Sequence, residues 1–114
     1  MYVAIVGGRP LPLYYNLLDK QLNKLIEDSK CYLFTILCGR IEGQEKKEKT
    51  LAQLWAANNG APVYYFTEKS EDLLINKLLF KADYIIFILD GNPLINNIFM
   101  KYKMMGKHGS VIRV

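Results

Sequence analysis

The sequence predicts an α/β fold: a three-layer sandwich with a five-stranded parallel sheet at its centre. Three observations carry this. Five short β-rich runs recur, of which Tyr2–Val6, Tyr32–Leu37 and Tyr84–Leu89 are mainly apolar rather than alternating, the pattern of strands buried on both faces. The gaps between them carry apolar residues at helical spacing. Each gap is too long for a hairpin, so the strands run parallel through right-handed crossovers. The expected arrangement is Rossmann-like, with strand order 3-2-1-4-5 and residues 1–114 forming a single domain.

The elements follow in order. Tyr2–Val6 (YVAIV) is the first strand, ended by Gly7 and Gly8. Pro10 and Pro12 punctuate a turn, and from Leu13 the residues Leu18, Leu22, Leu25 and Ile26 keep helical spacing. Tyr32–Leu37 (YLFTIL) is the second strand, expected to end at Gly39. A polar stretch leads to a helix over Thr50–Asn58 carrying Leu51, Leu54 and Trp55, stopped by Asn59 and Gly60. Pro62–Phe66 is a short third strand with its proline at the start.

Ser70 followed by Glu71 and Asp72 marks the next helix: a hydroxyl cap, then acids on the positive end of the dipole. That helix runs to about Lys81. Tyr84–Leu89 (YIIFIL) is the most apolar strand and closes on Asp90-Gly91-Asn92. Asn92 caps the last helix with Pro93 at its first position. Ile95, Ile98, Phe99, Tyr102 and Met105 form its apolar stripe, Gly106 and Gly109 end it, and Ser110–Val114 is the fifth strand. Trp55 and Met105 fall on apolar stripes and read as core.

Composition bounds the function. The chain has 114 residues, 51% apolar and 23% charged, the balance of a globular domain with a radius of gyration of roughly 13 Å. No apolar run approaches the ~20 residues of a membrane span, and the N-terminus has no basic region before its apolar run. A cytoplasmic setting with no membrane partner is the expectation. Cys31 and Cys38 lie on one predicted strand about 23 Å apart, too far for a disulfide, and read as free thiols. Neither has a partner at metal-ligand spacing, and His108 is the lone histidine, read as a cation near a helix end. No metal or cofactor is implied.

Net charge is +4, and its placement is uneven. Eleven basic and eleven acidic residues cancel through Asp90; beyond it stand only Lys101, Lys103, Lys107 and Arg113. Two readings fit these four charges: cations favoured by a helix C-terminus, or a weak, salt-sensitive nucleic-acid face.

In an open parallel sheet the ligand crevice lies beyond the C-terminal strand ends, where strand order reverses. The residues expected there are Gly7, Gly8 and Arg9, then Asp90, Gly91 and Asn92, flanked by Gly39 and Arg40. Glycines let backbone approach a ligand, and arginines suit phosphate. The same glycines also serve plain tight turns. Asp90 fits a general base, a ribose acceptor or a turn residue; Arg40 and Glu42 also fit a solvated loop. One of Tyr14 and Tyr15 is expected to face the crevice, where a ring would stack on a base. Neither G-x-G-x-x-G nor a P-loop is present.

Several segments together resemble the YspA-like branch of the SLOG superfamily, Rossmann-type domains of the Smf/DprA and LOG groups. These are Gly7-Gly8-Arg9, Leu51-Ala52-Gln53-Leu54-Trp55-Ala56, Gly60-Ala61-Pro62-Val63, Ala82-Asp83 with Asp90-Gly91, and the run from Met100 through Gly106-Lys107-His108-Gly109-Ser110-Val111. The resemblance implies a nucleotide or nucleotide-derived ligand at the crevice, in sensing or regulation. Some LOG-type relatives cleave nucleotide N-glycosidic bonds, which would give Asp90 or Glu42 a catalytic role. The family's aspartate after the second strand is missing, however, and so is the LOG P-G-G-x-G-T-x-x-E segment, in whose place stands Asp90-Gly91-Asn92-Pro93-Leu94-Ile95-Asn96-Asn97. The third helix is apolar on nearly two sides, through Leu73, Leu74, Ile75, Leu78, Leu79 and Phe80, so a homo-oligomer, most simply a dimer, is also expected.

Overall fold

A computed structural model describes residues 1–30, 34–43, 50–106 and 108–114 of the chain. The elements are β1 (Tyr2–Gly7), α1 (Pro12–Ser29), β2 (Thr35–Ile41), α2 (Leu51–Asn59), β3 (Val63–Glu68), α3 (Glu71–Lys81), β4 (Tyr84–Leu89), α4 (Pro93–Met105) and β5 (Gly109–Arg113). All five strands are parallel, in the order β3-β2-β1-β4-β5 that the patterning predicts. The radius of gyration is 13.2 Å. No helix among the described residues is long and apolar enough to cross a membrane.

The sheet is apolar on both faces because both are covered. Val3, Ile36, Ile86 and Ile88 point to one side, against Leu18 and Leu22 of α1 and Leu51 and Trp55 of α2. Ala4, Leu37, Ile85 and Phe87 point to the other, against Leu79 of α3 and Ile98 and Phe99 of α4. Successive residues of one strand thus serve opposite cores, which explains why β4 shows no polar alternation. Ile85, Ile86, Phe87 and Ile88 are each at most 1% exposed. Burying each such side chain contributes about 1.5–3 kcal/mol.

Helix ends follow the capping chemistry. Thr50 and Gln53 form a reciprocal capping box on α2. Ser70 Oγ accepts from Leu73 N on α3, and Asn92 Oδ1 accepts from Leu94 N on α4. Gly60 and Gly106 take the left-handed conformation as C-caps. Trp55 donates its Nε1–H to Asp19 Oδ1 at 2.9 Å, joining α2 to α1 as a core residue should.

Four expectations need correction. The second strand does not stop at Gly39: β2 continues through Gly39 and Arg40, which pair with Phe66 and Thr67 of β3. Tyr32 and Leu33, its expected start, lie outside the described residues, as does Cys31. β3 itself starts after Pro62 and runs on to Glu68. Gly109 belongs to β5 rather than to the end of α4. Met105 is 47% exposed, because the last turn of α4 carries its stripe past the sheet.

Gly39 is a packing glycine. A Cβ there would run into Leu74 Cδ1 of α3 and come within 2.9 Å of Phe66 Cζ. Its absence lets α3 sit close to β2. The apolar surface of α3 divides accordingly. Leu79 is buried, Leu74, Ile75 and Leu78 are half-buried, and Leu73 and Phe80 stay exposed. Replacing Gly39 with Ala is expected to cost roughly 1–3 kcal/mol through overpacking, read as a lowered urea midpoint. The Gly39→Ala/Leu74→Ala double variant should lose less than the two single losses together; simple additivity would show that Leu74 is not the obstacle.

Candidate functional site

The site begins with a divergence of chains. Gly7 is the register partner of Ile88, so β1 and β4 end side by side. From there the chain leaves β1 toward α1 on one face and β4 toward α4 on the other. The gap between the two exits opens into a crevice of about 1410 Å3. All eight residues expected from the sequence line it: Gly7, Gly8, Arg9, Gly39, Arg40, Asp90, Gly91 and Asn92.

Local chemistry positions each of them. Gly7 and Gly8 have φ of +93° and +83°, a region that side chains disfavour. A Cβ on Gly7 would also lie 2.6 Å from the Ile88 carbonyl oxygen, and one on Gly8 would lie 2.8 Å from Ile88 Cδ1. Turn conformation and packing therefore both require these two glycines. At Gly91, φ is +90° but the space around a Cβ is open, so conformation alone favours glycine there.

Asp90 is held from two sides. Its Oδ2 accepts from the Tyr14 hydroxyl at 3.2 Å and its Oδ1 from the Asn92 backbone N–H at 3.4 Å. The Tyr14 ring itself is buried in the core between sheet and helices, so it has no face to offer a base. Tyr15 Oη instead accepts from the side-chain amide of Asn58 at 3.1 Å. The expected stacking tyrosine is thus absent from this pair, and Tyr14 acts as a positioning residue for Asp90.

The rim is electropositive. Arg9 is exposed in the β1–α1 turn, where its carbonyl accepts from Leu11 N. Arg40, likewise exposed, lies at the end of β2 with its guanidinium carbon 5.6 Å from the centre of the Tyr65 ring, solvated as one reading had it but on a strand rather than in a loop. Neither arginine forms an ion pair among the described residues, whose salt bridge joins Lys77 to Glu68. Asp90 is the one carboxylate among the described lining residues. Beside the rim, α1 starts at Pro12 with Leu11 in the cap position and no side-chain cap, while α2 and α4 are capped. Glu42 is exposed and does not line the crevice.

Sequence reasoning missed part of the lining. Thr50 and Gln53 reach the crevice from the start of α2, and their T-x-x-Q spacing was a legible capping signal. Leu74, Ile75 and Leu78 of α3 and Ile95 and Ile98 of α4 line the opposite side. No group of three or more His, Cys, Asp or Glu residues forms a metal site among the described residues. Of the basic C-terminal residues, Lys101, Lys103 and Arg113 are exposed, and Lys103 Nζ lies 4.8 Å from the Phe99 ring centre. Lys107 lies outside the described residues.

Comparison with models of known protein families and with curated proteins finds no match for this chain. The SLOG resemblance therefore rests on its motifs alone.

Cys38 also lines the crevice but is a free, buried thiol. Burial pushes its pKa up to about 11, against the smaller opposing pull of Arg40. It stays a protonated thiol at neutral pH and is a poor nucleophile. Because the folded-state pKa lies above the usual 9.0, the thiol supports folding below pH 9, and that support is lost as pH rises toward 11. Urea unfolding should show the stability difference between wild type and Cys38→Ala falling from pH 9 to pH 11. A constant difference would mean that the thiol titrates normally.

Proposed function

We propose that this chain is a small Rossmann-like module of SLOG type that binds a nucleotide or nucleotide-derived ligand, in sensing or regulation inside the cytoplasm. The observation that carries the reading is the convergence on one crevice, at the strand-order reversal, of the glycine-bearing ends of β1 and β4, the last residues of β2, and two arginines that form no ion pair among the described residues. Arg9 and Arg40 take the phosphate, with the backbone N–H groups of Gly8 and Gly91 close by. The Asn92 N–H is already given to Asp90, so it serves the loop rather than the ligand. Asp90 keeps lone pairs beyond its two bonds and accepts from a ribose hydroxyl.

Hydrolysis of an N-glycosidic bond finds less support in the same crevice. Glycosidic cleavage generally uses two carboxylates, and Asp90 stands without a second among the described lining residues.

Calorimetry against adenosine mono-, di- and triphosphate and ADP-ribose tests the proposal. At least one should bind, and Arg9→Ala or Arg40→Ala should weaken it by roughly tenfold or more, the scale of a lost hydrogen bond to a charged group. No heat from any of the four at millimolar concentration would overturn it.

A further inference from the structure

The crevice has two chemically different arms. Toward α2 it meets Thr50 and Gln53, which are polar. Toward the other face it enters a gap between α3 and α4 walled by Leu74, Ile75, Leu78, Ile95 and Ile98. None of these five side chains carries a polar atom. The two walls stand on glycines of the sheet: Leu74 lies against Gly39 within β2, and Ile95 Cγ2 lies 3.3 Å from a Cβ position on Gly7 at the end of β1. Both arginines line the same crevice, Arg9 in the turn after Gly8 and Arg40 on the face of β2 opposite to the one Gly39 turns toward Leu74, so the apolar arm shares its mouth with them.

We infer that the ligand carries an aliphatic chain on its phosphate, with the anionic group at Arg9 and Arg40 and the chain between α3 and α4. The inference rests on the nucleotide reading for its head group and adds the class of substituent. Three arguments carry it. The crevice volume of about 1410 Å3 exceeds the roughly 300–1,000 Å3 that a small ligand generally fills, so a nucleotide leaves room. A base placed in the apolar arm would leave its nitrogens and oxygens without partners, which is costly. An alkyl or acyl chain pays no such penalty, and its junction with phosphate falls where the apolar wall meets the positive rim.

Adenosine monophosphate and its butyl, hexyl and octyl phosphate esters, together with n-octyl phosphate, provide the test by calorimetry. Each added methylene should tighten binding by roughly three- to fourfold until the arm is filled. Two variants remove that dependence by different routes: Leu78→Trp fills the arm, and Ile75→Ser makes its wall polar. Thermal melts by circular dichroism confirm that each is folded. A flat ester series, or a wild-type slope retained in either folded variant, overturns the inference. If adenosine monophosphate binds and the series is flat, the nucleotide reading survives without the tail. If octyl phosphate binds as tightly as the octyl ester while adenosine monophosphate does not bind, the apolar arm stands and the nucleotide reading fails.

Discussion

Gly7 and Ile88 are neighbours across the sheet, and beyond them their chains depart to opposite faces. The rest of the structure depends on this divergence. Two parallel strands that send their crossovers in opposite directions leave no helix over their shared C-terminal ends. The opening is therefore a consequence of topology, and the close fit of Gly7 and Gly8 against Ile88 keeps the first loop out of it. Larger side chains at those glycines would meet β4 or α2 and also strain the backbone.

Energetics divides cleanly between the slab and its rim. The sheet is held by two apolar cores, one per face, with β4 buried on both. At the strand ends, Tyr14, Asp90 and Asn92 link α1 to the β4–α4 loop through bonds of 3.2 and 3.4 Å. That link holds the carboxylate by hydrogen bonds, and Arg9 and Arg40 form no ion pair among the described residues. An electropositive mouth over an apolar interior favours ligands with the reverse polarity along their length.

The fold was legible because its signals are local. Burial on both faces makes YIIFIL unmistakable, and the caps at Ser70 and Asn92 sit in sequence next to the helices they start. The crevice residues were legible through topology, since strand order names the loops that meet. What stayed hidden depends on distant partners. Gly39 looked like a turn glycine because Leu74, 35 positions later, cannot be placed against it from pattern alone. Arg40 looked like loop because a charge next to a glycine masks the end of a strand. One of Tyr14 and Tyr15 was expected to stack, yet the Tyr14 ring joins the core with its hydroxyl on Asp90, and the Tyr15 hydroxyl meets Asn58. The six apolar residues of α3 were read together, and the fold divides them: Leu79 is buried, Leu74, Ile75 and Leu78 line the crevice, and Leu73 and Phe80 are exposed.

Amide chemical shifts of the isotopically labelled chain, followed during titration with adenosine monophosphate, test the central claim most directly. The account predicts saturable, concerted shifts at Gly8, Arg9, Arg40 and Gly91, the residues that topology brings together from three strand ends. Shifts confined to the exposed basic residues Lys101, Lys103 and Arg113, or no shifts at the crevice at all, would contradict it.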